Sequence, residues 1–368
     1  MDRLPVAARQ LPVASSMSRR RPPIADREQP TAHRESPIAP ILPAVKIRLG
    51  IIGTGEAWET RHRPALRMLH DRFDVRAVFS PVARLAENIA GEFQADVADG
   101  YRVMVHRCDI DAVLVLQRTW LGWLPMMAAA EAGRAIYWGG RCDLDPTADA
   151  DVRRTIDDSG VSMMVEFPRR YAPATLRLKE LIATRLGRPQ MIFCHRRISC
   201  GDDLPARRRW ELLELIDWTR YVVGHPVATV TSIGHEAADG TDDYELLNLT
   251  FDADPPVTAN LSVGSYVPGE WSEAIAFQCP SAMQIRCERG LAFVDLPSTL
   301  VWFDAAGRHV ETLEAETPVG QQLLSQFHRA VTSLLRNVGD LGDLFTAGEI
   351  LRAAGRSRDE GRRVEIDR

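Results

Sequence analysis

The run from Lys46 to Pro64, KIRLGIIGTGEAWETRHRP, constrains the fold more than any other part of the chain. Ile47, Leu49, Ile51 and Ile52 form an apolar strand that feeds into Gly53-Thr54-Gly55, and helical spacing follows from about Ala57 to Asp71. Strand, glycine turn and helix in that order open a dinucleotide-binding βαβ unit. Glycine tolerates positive φ and leaves the backbone bare for a pyrophosphate, which the N-terminus of the next helix favours. Gly53, Thr54 and Gly55 are therefore candidate cofactor-binding residues. The third small residue of the fingerprint falls on Trp58, so the motif is present but altered.

With 368 residues and 45% hydrophobic content, the chain can bury two cores. A net charge of −5 gives no global basic field for nucleic acid. Lysine occurs only at Lys46 and Lys179, which leaves few candidates for a lysine catalyst. Cys108, Cys142, Cys194, Cys200, Cys279 and Cys287 are scattered, without a C-x-x-C pair or a metal-spaced histidine cluster. The expectation is a reduced, cytoplasmic protein without metal. No stretch approaches the roughly 20 apolar residues of a membrane helix.

Residues 1–44 are rich in Arg and Pro and lack apolar periodicity, so they read as a disordered segment. Arg19-Arg20-Arg21 is not followed by the apolar stretch that a twin-arginine export signal needs, and Met17 offers an alternative start. Beyond the glycine turn come strands at 75–79, 111–116, 135–138 and 161–165. Helices fall between them at 83–93, 120–132 and 146–158. That alternation predicts an α/β Rossmann domain with a doubly wound parallel sheet over 45–167. From 168 to 368 the pattern predicts an α+β domain for substrate binding and dimerisation. Helices are expected at 173–184 and 210–223. Period-two strands follow (VATVTSI, YELLNLTF, TANLSVGS, EAIAFQC, MQIRCE, LAFVDL, LVWFD) in a large open antiparallel sheet. Two amphipathic helices, at about 320–336 and 344–356, close the chain.

In this order the chain resembles the Gfo/Idh/MocA oxidoreductases, the group around glucose-fructose oxidoreductase and inositol dehydrogenase. The resemblance is carried by GIIGTG at 50–55, HRPAL at 62–66, DIDAVLVL at 109–116, AAAEAGRAIY at 128–137, RRYAPATLRLKELI at 169–182, LGRP at 186–189 and GRSRDEGRRVEI at 355–366. It implies NAD or NADP binding, hydride transfer to or from a sugar or polyol carbon, and a homodimer. It also implies Glu-Lys-Pro after the fifth strand, and an Asp and a His four residues apart on a helix of the second domain. Those positions fall on Gly139, Gly140 and Arg141, and on Trp210 and Glu214. The family's Thr-Pro-Asn after the fourth strand becomes Gln117-Arg118-Thr119, and a following His becomes Gly122.

Trp58, Trp120, Trp123, Trp138 and Trp210 map onto one crevice, where they either fill a dead pocket or form a platform for a sugar or planar ring, with Arg141 or Arg118 gripping an anion. The second strand ends at Ser80 without the carboxylate expected for NAD. Arg84 lies one turn on, which slightly prefers NADP over NAD, or is simply a solvated helix residue. Glu214, Asp217, Arg141 and Glu166 are the ionisable groups expected in the cleft. Glu214 and Arg141 are the catalytic candidates in place of the lysine, and Asp217 is expected to be structural. Arg170 reads as a salt-bridge former, and His62 and Arg63 as phosphate contacts, caps or surface residues. His195, Arg196 and Arg197 alternate along a strand, and Arg207, Arg208 and Arg209 read as a solvated face. Two functions stand side by side: an NAD(P)-dependent oxidoreductase for a sugar-like small molecule, and an inactive descendant that binds a ligand or protein partner in a tryptophan-lined cleft.

Overall fold

A computed structural model of the chain describes residues 45–116, 121–141, 146–199, 204–237, 240–271, 273–333 and 339–366. Six strands form the first sheet: β1 (Ile47–Ile52), β2 (Phe73–Phe79), β3 (Asp96–Val97), β4 (Ala112–Val115), β5 (Ala135–Trp138) and β6 (Met163–Val165). They are all parallel, in the order β3-β2-β1-β4-β5-β6, the doubly wound order of a Rossmann sheet. The helices between them are α1 (Arg63–Met68), α2 (Ala83–Phe93), α3 (Tyr101–Val105), α4 (Leu124–Glu131) and α5 (Pro146–Ser159). Strands β4, β5 and β6 are buried at every residue, because helices cover both faces of a parallel sheet.

After α6 (Pro173–Leu181) the chain enters β7 (Pro189–Ser199), α7 (Leu204–Val223), β8 (Val227–Glu236), β9 (Asp242–Phe251) and β10 (Val257–Val267). A one-turn helix, α8 (Glu273–Ala276), leads to β11 (Met283–Cys287), β12 (Leu291–Asp295), β13 (Thr299–Asp304) and β14 (Gly307–Thr312). Then come α9 (Val319–Thr332), α10 (Gly339–Glu360) and β15 (Val364–Glu365). The nine strands run β14-β13-β12-β11-β7-β10-β9-β8-β15 and are antiparallel except for the parallel pair β7 and β10. The described residues pack as one compact unit.

Three local readings change. EAIAFQC, expected as a strand, forms α8 and a turn with Phe277 exposed; its Ala- and Glu-rich start favours helix, and it buries no residue. Helix α7 starts at Leu204, six residues before the expected Trp210, with Pro205 in its first turn where a missing N–H costs nothing. Helix α9 returns to the first sheet, where Leu323, Leu324 and Phe327 join Ile47, Leu49 and Tyr137 in one core. The Phe327 ring stacks on Phe73 at 6.5 Å and meets Tyr137 edge-on at 5.4 Å.

A buried charge cluster ties these elements together. Arg170, after β6, pairs with Asp217 of α7 and with Asp343 (2.9 Å) and Asp340 (3.6 Å) of α10. Lys179, on α6, donates to the Tyr221 carbonyl at 2.9 Å, well away from any catalytic position. Three carboxylates around one guanidinium leave an excess of negative charge. Burial and the charges of Asp343 and Asp217 outweigh Arg170 and push the Asp340 carboxyl up to about 6. The unfolded chain has the ordinary value near 4, so the native state binds the extra proton. The stability Asp340 contributes is present below about pH 4 and is lost as pH rises through 6. Urea unfolding of wild type and Asp340→Asn should therefore show the variant gaining on wild type between pH 5 and 7.5, by on the order of 1–2 kcal/mol. A pH-independent difference would rule this assignment out.

Candidate active site

The cleft is a cavity of about 1670 Å³ where the carboxyl ends of β1, β5 and β6 face β7 and α7. Its floor is the glycine turn. The Gly53 N–H donates to the Phe79 carbonyl at 2.7 Å, fixing the turn to β2. A Cβ at Gly55 would overlap the Leu116 carbonyl oxygen, so only glycine lets the turn approach the end of β4 this closely. Thr54, Gly55, Glu56 and Ala57 line the cavity. Among the described residues their N–H groups make no backbone hydrogen bond, which leaves bare donors of the kind a pyrophosphate requires. Residues Trp58–His62 then form a wide π-helical turn before α1.

That turn aims Trp58 away from the cleft. The side chain is buried in the core beneath the sheet, edge-on to Phe93 of α2 at 6.3 Å. The same turn brings Arg61 and His62 to the cavity. There His62 Nε2 lies 2.8 Å from Glu166 Oε2, and Arg61 pairs with the other carboxylate oxygen. Glu166, just after β6, is 5% exposed. Burial alone would push its carboxyl up, but the charges and hydrogen bonds of His62 and Arg61 outweigh it and hold the group down at about 2. Room for the carboxylate comes from Gly139, at the end of the neighbouring strand, where a Cβ would overlap Glu166 Oε2. The hydroxyl of Tyr137 is kept protonated by its burial and by the Glu166 charge.

The opposite wall comes from the second sheet and α7. Arg169 donates to Glu211 at 2.6 Å and sits 3.4 Å from Glu214. The Trp210 indole N–H donates to Glu214 at 3.1 Å, and Arg196 of β7 reaches Glu211 at 3.4 Å. Glu211 takes most of the positive charge. Burial pushes its carboxyl up, but Arg169 and Arg196 hold it below the usual range. Glu214 goes the other way, raised by burial and by Glu211 and Glu166 against the pull of Arg169. His195 Nδ1 lies 2.8 Å from Ser262 Oγ, and burial and Arg197 lower its pKa.

The expected residues divide accordingly. Thr54, Gly55, Arg141 and Glu214 share the cavity. Arg141 pairs with Glu56, so its guanidinium closes over the glycine turn. Ser80 is buried with its Oγ accepting from the Val82 N–H at 3.2 Å, and Arg84 is exposed on the first turn of α2. Among the described residues the expected tryptophans do not all face the cleft. Trp58 and Trp138 are core residues, Trp138 against Trp123 at 4.7 Å, while Trp123 and Trp210 line the cavity. Arg118 and Trp120 lie outside the described residues. Arg63 is a surface residue paired with Glu59 and Glu92. Arg61, Arg169 and Glu211 were not singled out from the sequence. Of the two arginines in PRRY, the first faces the cleft and the second the charge cluster, a difference that follows from the turn after β6 and leaves no trace in composition.

Residues 47–137 match the model of an oxidoreductase family with an NAD-binding Rossmann fold. Over β1 to β5 the chain is therefore similar to the Gfo/Idh/MocA oxidoreductases. The chain is also similar to the oxidoreductase YrbE of Bacillus subtilis, 25% identical over 231 residues, which cover 56% of this chain and 64% of that one. An inositol 2-dehydrogenase/D-chiro-inositol 3-dehydrogenase of Shouchella clausii is 29% identical over 170 residues, 42% of this chain and 46% of that one. The chain thus spans less than two thirds of the length of either relative. Among solved structures, a levoglucosan dehydrogenase in complex with NADH and levoglucosan superposes with a TM-score of 0.73 at 16% identity. The match covers 88% of this chain and all of that one, a likeness of fold.

Glu166, from the end of β6, occupies space that a side chain on Gly139 at the end of β5 would fill. Gly139→Ala tests that competition. The added methyl meets Glu166, with Leu116 Cδ2 at 3.1 Å and Tyr137 Cε1 at 3.4 Å, and should cost about 1–3 kcal/mol in urea unfolding. In a Glu166→Ala background the same change should cost less than about 0.5 kcal/mol; equal costs in both backgrounds would show that the two positions do not compete for the space.

Proposed function

We propose that the chain is an NAD(P)-dependent oxidoreductase of a sugar, polyol or similar small molecule. The observation that carries this reading is that the bare amides of the glycine turn and the Glu214 carboxyl open onto one cavity. Gly53, Thr54 and Gly55 would hold the pyrophosphate on their backbone, with Arg141 adding a fixed charge beside the turn. An arginine does not give up its proton near neutral pH, so Arg141 binds rather than exchanges protons. A bound nicotinamide accepts or supplies the hydride. Ser80 and Arg84 would take the ribose end, where the lack of a carboxylate and the presence of Arg84 favour NADP.

On the substrate side, Glu214 is positioned to act as a hydrogen-bond donor. Burial and the neighbouring carboxylates raise its pKa, which favours the protonated form, and Trp210 fixes one of its oxygens. Arg169 and Glu211 add a donor and an acceptor, the pairing that adjacent sugar hydroxyls satisfy. The inositol dehydrogenase relative makes polyols the substrates to try first.

Titration with NADH and NADPH tests the reading. Trp123 and Trp210 line the cavity, so their fluorescence should be quenched on binding. At least one cofactor should saturate below about 1 mM. Arg84→Ala should weaken NADPH by up to about fivefold and NADH less, the scale of an exposed ion pair. With the preferred oxidised cofactor, myo-inositol and levoglucosan are the first substrates to screen. Absence of binding by either cofactor at millimolar concentration would overturn the oxidoreductase reading, and equal losses in Arg84→Ala would overturn the NADP preference.

A further inference from the structure

The arginines on the α7 side of the cleft outnumber the carboxylates that hold them. Arg196 of β7 lines the cavity with its side chain 48% exposed, and it reaches Glu211 through Nε alone, at 3.4 Å. Among the described residues its two terminal nitrogens have no partner, so the forked end of the guanidinium is free. Arg207, in the first turn of α7, lines the same cavity and among the described residues meets only the Ser199 hydroxyl, at 3.5 Å. The amino end of this 20-residue helix adds partial positive charge beside it. With Arg169, three guanidiniums thus share the ionised Glu211 and a Glu214 whose carboxyl is raised by burial. Elsewhere in the cleft Arg61 and Arg141 are matched by Glu166 and Glu56. Asp295, Glu314 and Glu316 also line the cavity, but they are exposed and pair with none of the three arginines.

We propose that the substrate of this cleft is a sugar acid, its carboxylate held by the Arg196 guanidinium with Arg207 adding positive charge. The inference deepens the oxidoreductase reading above and rests on it. A planar guanidinium with two free terminal nitrogens matches the two oxygens of a carboxylate, whereas a neutral polyol offers it no charge to hold. The position of the carboxylate leaves room for the rest of the molecule. Arg196 stands at the level of Glu211, and Glu214 lies three residues further along α7, about 4.5 Å along the helix axis and on the same face. A single sugar ring spans that interval. Arg169 sits between the two levels, 2.6 Å from Glu211 and 3.4 Å from Glu214, so the ring hydroxyls meet Arg169 and Glu214 while the carboxylate stays on Arg196. The excess positive charge of this wall also draws an anion toward the cleft, an attraction that salt weakens.

Matched pairs of ligands test the assignment by calorimetry on the full-length protein, with and without NADPH or NADH: D-glucuronate against D-glucose, and D-gluconate against D-glucitol. At low salt at least one acid should bind about tenfold or more tighter than its neutral partner, the scale of a charged hydrogen-bonded pair. That advantage should shrink as NaCl rises from about 0.05 to about 0.5 M. Arg196→Gln should remove most of it, by weakening the acid far more than the neutral partner. Arg196→Lys keeps the charge without the fork and should restore part of it. Arg207→Gln should lower it by about two- to threefold, as for an exposed charge. Acids that bind no better than their neutral partners would overturn the proposal, and so would an Arg196→Gln variant that weakens both alike. Tighter binding of D-glucose 6-phosphate than of D-glucuronate would assign the arginines to a phosphate and overturn it too. A preference for the acids in a protein that binds neither NADPH nor NADH would instead overturn the oxidoreductase reading and leave the carboxylate site in place.

Discussion

A carboxylate buried at the end of a parallel strand needs its charge balanced from close by, and Glu166 organises the cleft for that reason. Leaving such a group ionised and unpaired would cost several kcal/mol. Its two oxygens are satisfied by Arg61 and His62, which reach it only because the chain after the glycine turn widens into a π-helical turn. Its space exists only because Gly139 has no side chain. The Glu166 contacts thus join the end of β6 to the turn after β1 and to the space left by Gly139.

Two walls with carboxyl groups shifted in opposite directions follow. On the first sheet, cations outnumber the carboxylate and Glu166 stays ionised. On α7, Glu211 takes the share of Arg169 and Arg196, so that Glu214 is driven toward its neutral form. Titratable groups pushed apart by their surroundings are a common arrangement where one site both donates and accepts protons. Gly140, at the position of the family's lysine, has φ of +115, with the Leu116 carbonyl 3.1 Å from where a Cβ would stand. A side chain there would be strained, which accounts for glycine at this position.

The strand–glycine–helix opening, five of the six parallel strands and the nature of the second sheet were legible in the sequence, since each is written in local periodicity and turn residues; the two-residue β3 (Asp96–Val97) is too short to leave a pattern. Contacts between distant positions were not. The pairing of Gly139 with Glu166 depends on two strands lying side by side, and neither residue signals it alone. The five tryptophans mapped to one crevice by alignment of strand ends, but rotation within a single turn sends Trp58 to the core, and a strand residue one place earlier, Trp138, faces inward too. EAIAFQC alternates well enough to suggest a strand, yet it buries nothing that would hold it in a sheet.

In the proposed function the cleft binds a nicotinamide dinucleotide on its glycine turn. Hydrogen exchange followed by mass spectrometry, with and without NADPH or NADH, tests it at the level of the residues involved. Cofactor should slow exchange in peptides covering 50–62 and 136–141, with little change in the outer strands of the nine-stranded sheet. Unchanged exchange in both peptides at saturating cofactor, or protection confined to the second sheet, would contradict it.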